Sequence, residues 1–133
     1  MPTTIQPVLL TPDIERLQAF YSGLLGAQVA MRLPEQGPAF YLGLTVGDGE
    51  LGLVADDSVA ADTLQRVLIS IDVTGIGGAS LDDVLAQVEG LGGRVLAEPN
   101  DMPWGQRVAH ILDPDGNAVN LTSPVQTTAA APG

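Results

Sequence analysis

The chain has no cysteine, no lysine, few aromatic residues and no long apolar run. Without cysteine there are no disulfides, no thiolate metal sites and no thiol nucleophile. Without lysine, five arginines stand against sixteen aspartates and glutamates, a formal net charge of -11. Such a field repels phosphate backbones, so nucleic acid is not an expected partner. The sharper reading of the same charge is attraction for cationic small molecules; the plainer one is solubility. No apolar stretch nears the roughly 18 residues of a membrane helix, and the first residues lack the basic-then-apolar pattern of a signal peptide. A cytoplasmic protein with no membrane partner is the expectation. Aromatic residues make up 4% of the chain, so each one asks for a reason.

What is present is a repeat. Leu25-Gly26-Ala27-Gln28-Val29 ends a helical pattern and opens a strand, and Leu91-Gly92-Gly93-Arg94-Val95 does so again 66 residues later. Hairpin-turn signals follow each, Gly47-Asp48-Gly49-Glu50 and Pro114-Asp115-Gly116-Asn117, offset by 67. With 133 residues and 45% apolar content, the chain suits one domain built from two copies of a small unit. Neither copy could bury its apolar face alone, so the two must share a surface.

Periodicity places the elements. Residues 5–10 read as a strand, with Thr11 as helix N-cap and Pro12 at the first helical position. Ile14, Leu17, Phe20, Tyr21, Leu24 and Leu25 recur at threes and fours along one helical face. Strands follow at 28–33, 39–46 and 51–55, the last two joined by an Asp48-Gly49 hairpin. After a polar connection at 56–63, the second unit offers a strand at 67–73 and a capping box from Ser80 to Asp83. Behind that cap Leu81, Val84, Leu85, Val88 and Leu91 form the stripe, and Gly92-Gly93 stops the helix. Strands at 94–97, 107–112 and 118–122 complete the unit around a 99–105 loop, and residues from 124 onward read as a fraying tail. Each half is therefore strand, helix, strand, strand, strand. The class is α+β: two βαβββ modules (4–56 and 66–123) in a single domain over 1–125, forming a curved mixed sheet with helices on the outer face, and a tail at 126–133.

Pro7-Val8-Leu9-Leu10, Asp13, Phe20-Tyr21 and Leu25-Gly26, then Pro103-Trp104-Gly105 and Asp113-Pro114-Asp115-Gly116-Asn117, carry a family signature. The chain resembles the glyoxalase, bleomycin-resistance and extradiol-dioxygenase superfamily, the vicinal oxygen chelate fold, and is nearest the bleomycin-resistance-like, non-metal branch. That resemblance implies a concave ligand face, a homodimer whose partner chain completes the cleft, and in the enzymes a divalent metal held by four strand residues. Counted along the motifs, those four positions are Gln6, Leu53 (or Gly52 one register away), Leu68 and Asn120. Only Gln6 is a reasonable ligand, and one neutral amide does not hold a divalent ion. No metal residue is therefore assigned and no cofactor expected, with a divalent metal as the alternative.

The remaining chemistry is sparse. His110 is the sole histidine, with no acidic residue beside it to orient a general base. No serine lies in a nucleophile context, so no catalytic residue is assigned. Asp113 and Asp115 are explained by the turn, where aspartates bond their own backbone. Trp104, the only tryptophan, stands on a loop, where a large aromatic either plugs the sheet edge or recognises something planar; the resemblance implies the second. Only one of Phe40 and Tyr41 can face the cleft, and Arg107 could meet an anionic group or pair with Asp101. The expected ligand-binding set is Trp104, Gln6, Asn120, His110, Tyr41 and Arg107. The expected function is metal-independent binding of a small molecule, an aromatic or cationic drug-like compound. The alternatives are a metal-dependent lyase, isomerase or dioxygenase of the same superfamily, and a protein whose cleft has degenerated into a structural or regulatory surface.

Overall fold

The computed structural model describes residues 5–60, 63–65, 67–76 and 80–125. The expected tail at 126–133 lies outside these residues. The first module comprises β1 (Val8–Thr11), α1 (Ile14–Leu25), β2 (Gln28–Leu33), β3 (Tyr41–Val46) and β4 (Gly49–Ala55). The second comprises β5 (Ile69–Asp72), α2 (Leu81–Val88) with a 3-10 turn at Glu89–Leu91, β6 (Arg94–Val95), β7 (Asn100–Asp101), β8 (Gln106–Leu112) and β9 (Ala118–Pro124). The strands form two mixed sheets, ordered β1-β4-β3-β2 and β5-β9-β8-β6, with β7 also on β8. In each sheet one pair is parallel, β1 with β4 and β5 with β9, and the other pairs are antiparallel. The α+β class and the paired modules follow the sequence pattern.

Local chemistry sets the boundaries. Thr11 does not cap α1: Asp13 does, its carboxylate accepting from Arg16 N at 3.1 Å, while Thr11 Oγ1 accepts from Asp13 N at 3.0 Å. Two capping residues in tandem extend the turn before the helix by one step. Gly26 ends α1 in the left-handed region (φ 69°) and Gly92 ends the second helical segment likewise (φ 101°), the conformation that favours glycine. The capping box of Ser80 and Asp83 is present in full. The first hairpin turns on Gly47-Asp48, one residue earlier than expected, because Gly47 supplies the positive φ of 56°. The 99–105 loop contains β7, too short to show periodicity, and β9 continues to Pro124 rather than fraying there.

One apolar core joins both modules. Leu17, Phe20 and Tyr21 of α1 are buried with Leu44 and Leu53 of the first sheet and Ile111, Val119 and Leu121 of the second. Full burial of such side chains contributes roughly 1.5–3 kcal/mol each before entropy is subtracted. Where the modules meet, Phe20 presses on the backbone of Gly93: a Cβ there would lie 2.6 Å from the Leu112 carbonyl oxygen and 2.7 Å from Phe20. Beside this contact Tyr21 donates its hydroxyl hydrogen to Asp113 Oδ2 (2.8 Å, buried), and Arg16 pairs with Asp115 at 2.6 Å. Asp113 also accepts from the backbone N–H groups of Asp115 and Asn117, each at 2.9 Å. The Asp113-Asn117 turn is thus structural, and it fastens the second module to the helix of the first.

Candidate functional site

Each sheet buries one face against the helices and leaves the other open. In β4 the odd residues Leu51 and Leu53 are core, and the neighbouring Gly52 pairs with Val8 and Gly43 on the other side. In β8 Ala109 and Ile111 are core, so His110 is turned to the open side. This settles the register at both places: Gly52, not Leu53, belongs to the open face, and His110 is exposed on it.

On the first sheet Tyr41 and Gln6 come together, the phenol hydroxyl donating to Gln6 Oε1 at 3.3 Å. The Tyr41 ring lies over two bare backbone positions. Its hydroxyl oxygen would be 3.4 Å from a Cβ at Gly43 and 3.3 Å from one at Gly52. Paired glycines inside neighbouring strands signal close approach of another group; here an aromatic ring takes the place. Phe40 lies just before β3, exposed, its N–H donating to the Leu33 carbonyl. Val8, Leu10, Met31 and Leu33 are also exposed, a notable amount of apolar surface for one sheet.

On the second sheet His110 and Asn120 face each other across β8 and β9, with His110 Nδ1 and Asn120 Oδ1 2.7 Å apart. With Asn120 Oδ1 as the acceptor, Nδ1 of His110 is the donor in that contact. Trp104 stands on the β7–β8 turn, 68% exposed, its indole N–H donating to Gln106 Oε1 at 2.9 Å. The turn is held at both ends: Gly105 N donates to Met102 O (3.0 Å), and Val125 N donates to Gly105 O (2.9 Å). Trp104 is therefore fixed yet uncovered. Gln106 and His110 lie on the same side of β8, four residues or about 13 Å apart.

Arg107 is placed elsewhere. It shares the helix side of β8 with Ala109 and bonds Asp101 (2.8 Å) and Asp82 of α2 (3.2 Å). Donating to Asp101 and then to Asp82 pushes the guanidinium pKa up and keeps it charged. Of the six expected ligand residues, then, Gln6 and Tyr41 form one pair and His110 and Asn120 another, with Trp104 on the second sheet's open side. No hydrogen bond among the described residues links one pair to the other. Sequence reasoning missed the bare Gly43–Gly52 patch, although two lone glycines within strand patterns are its signal.

A family model covers residues 4–121, that of the Glyoxalase/Bleomycin resistance protein/Dioxygenase superfamily. The chain belongs to this superfamily. Members of known structure share its fold at low identity. TioX from Micromonospora sp. ML1 is 17% identical, covers 93% of this chain and all of its own, and superposes with a TM-score of 0.72. The bleomycin resistance determinant encoded on the transposon Tn5 is 21% identical, with 92% and 98% covered and a TM-score of 0.68. The fosfomycin resistance protein FosX from Mesorhizobium loti is 14% identical, with 98% and 99% covered and a TM-score of 0.69. No curated protein sequence matches the chain.

The superfamily's metal positions can now be tested on these side chains. The positions that the resemblance implies, with Gly52 rather than Leu53 on the open face, are Gln6, Gly52, Leu68 and Asn120, and they provide two neutral amides, a glycine and a leucine. Gln6 is engaged by Tyr41 and Asn120 by His110. Among the described residues no three His, Cys, Asp or Glu side chains gather as a metal site. A divalent ion prefers charged oxygen or imidazole donors in number, so this set does not fit one. No helix among the described residues is long and apolar enough to cross a membrane.

Proposed function

We propose that this member of the superfamily is a metal-independent small-molecule-binding protein that acts as a homodimer in the cytoplasm. Its ligand is an aromatic, cationic compound held on the open sheet faces. The observation that carries the reading is the fixed, exposed indole of Trp104 on the side of β8 that presents the His110–Asn120 pair. An aromatic plane and, about 13 Å along the same strand face, a placed hydrogen-bonding pair suit an extended planar ligand. The net charge of -11 adds long-range attraction for a cation. Two of the structural neighbours are described as antibiotic-resistance proteins, which supports sequestration of a drug-like compound.

Exposed apolar surface supports the dimer. Val8, Leu10, Met31, Leu33, Leu68 and Leu96 are all exposed in one chain, and three cavities of 420–520 Å³ are lined by neither pair nor by Trp104. A second copy laid over these faces would turn an open surface into a pocket. Fluorescence titration of the lone tryptophan with planar aromatic cations and their neutral counterparts tests the ligand. Saturable quenching that is lost in Gln6→Ala or Asn120→Ala, with the cation preferred, is expected. Quenching by no compound, or one divalent metal per chain that survives dialysis, would overturn it. Sedimentation equilibrium tests the dimer, and a monomer at micromolar concentration counts against it.

A further inference from the structure

Trp104 stands at the tip of a short arm, residues 100–107. Among the described residues β7 pairs with β8 alone, Asn100 opposite Val108 and Asp101 opposite Arg107. Two residues of pairing hold little by themselves. The arm is nevertheless tied on both sides of β8. On the helix side Arg107 donates across the pair to Asp101 (2.8 Å) and sideways to both carboxylate oxygens of Asp82 in α2 (3.2 and 3.4 Å). One guanidinium thus joins the base of the arm to a helix. On the open side Gln106 Oε1 accepts from the indole N–H at 2.9 Å, while the Gln106 carbonyl accepts from Met102 N at 2.7 Å.

These ties add little to stability. The Asp82 and Asp101 side chains are more than half exposed, and ion pairs with exposed partners contribute little. Trp104 is 68% exposed, so its N–H would find water if Gln106 were absent. Both ties order a ring that covers no core, and their effect is orientation. Orientation matters because the His110–Asn120 pair lies about 13 Å away along the strand face. A planar molecule stacked on the indole and reaching that pair must follow the ring. Rotating the ring by about 20° would carry the far end roughly 4 Å, more than a hydrogen bond tolerates.

We propose that Gln106 and Arg107 are the positioning residues of Trp104. Gln106 sets the plane of the indole, and Arg107 sets the stance of the arm that carries it. This role rests on the sheet-face reading above. It also moves Arg107 out of the expected ligand set, since its guanidinium serves the ligand through the arm without touching it. Holding a binding group in place before the ligand arrives lowers the cost of association.

Time-resolved fluorescence anisotropy of the lone tryptophan tests both roles in the ligand-free protein. The native indole is expected to turn with the whole molecule. Gln106→Met, similar in size but without the acceptor, is expected to add subnanosecond ring motion, and Gln106→Glu, which keeps an acceptor, to restore the native decay. Arg107→Met is expected to add a slower swing of the arm. Asp82→Asn, at an exposed position, frees the arm from α2 and checks that result should Arg107→Met fail to fold. Two probes then report on binding: proflavine, an extended planar cation, and 1-methylquinolinium, a compact one. The ratio of their affinities is expected to fall about fivefold in Gln106→Met and in Arg107→Met, the loss of one placed hydrogen bond, and to return in Gln106→Glu. A native indole that already turns freely, a Gln106→Met decay like the native one, or both probes weakened alike overturns the role of Gln106. Native decays in both Arg107→Met and Asp82→Asn overturn that of Arg107. If neither probe quenches Trp104 while the anisotropy contrasts persist, the sheet-face ligand falls and the two residues stand as what orders the indole.

Discussion

Ala27 and Gly93 occupy the same place in the two copies of the repeat, yet only Ala27 can carry a Cβ. Ala27 is buried without conflict, whereas a methyl at Gly93 would meet both a carbonyl oxygen and the ring of Phe20. The hairpin turns differ in the same sense. Asp48 is exposed, and its counterpart Asp115 is buried and bound to Arg16. The backbone plan is duplicated, and the side chains that join the copies are found in the second module and in the helix of the first. A repeat therefore sets the shape of each unit, while departures from the repeat set how the units fit.

Five substitutions would break or sharpen this contrast. Asp113→Ala strands the Tyr21 hydroxyl and two backbone N–H groups, and should lower stability by about 3 kcal/mol in urea unfolding. Gly93→Ala forces Phe20 or the β8 backbone to move, and overpacking of this kind costs about 2 kcal/mol. The matching change Ala27→Gly opens no such clash, so the pair measures the asymmetry directly. Tyr21→Phe removes one buried hydrogen bond, worth about 1 kcal/mol near neutral pH. At the small end, Asp48→Asn in the exposed turn should stay within about 0.5 kcal/mol of the parent.

The Tyr21 variant carries a pH signature too. Burial first, then the charge of Asp113, holds the Tyr21 phenol well above its usual value of 10.0. A raised folded-state pKa means that the contribution of Tyr21 is complete below pH 10 and is lost as the pH climbs above it. Unfolding midpoints measured between pH 8 and 11 should therefore fall more steeply for the parent than for Tyr21→Phe. Parallel slopes would show that Tyr21 is not coupled to folding.

Where periodicity was strong, the sequence and the fold agree. The α1 stripe from Ile14 to Leu25 is buried as the spacing of its apolar residues requires, and β2 occupies 28–33 as expected. The N-cap shifted because Thr11 and Asp13 are both good caps, and only the geometry shows that they act in series. β7 was illegible because two residues cannot display an alternation. At the candidate site, residue types were legible and faces were not. A slip of one residue reverses a strand's sides, which is why Arg107 looked as available as His110 until the register placed it against α2. The Tyr21–Asp113 bond was out of reach for a different reason: its partners are 92 positions apart, and no local pattern announces such a pair.

That separation bears on how the chain folds. Phe20, Tyr21 and Arg16 find their partners only after residues near 93 and 113–115 have taken shape. Contacts between distant stretches of chain are entropically expensive to close, and they bring both ends of the sequence into a single event. Neither half should melt before the other, and one transition should be seen by every probe. An excised half would leave the apolar face of α1 without the surface that covers it, and should precipitate rather than persist as a small folded unit.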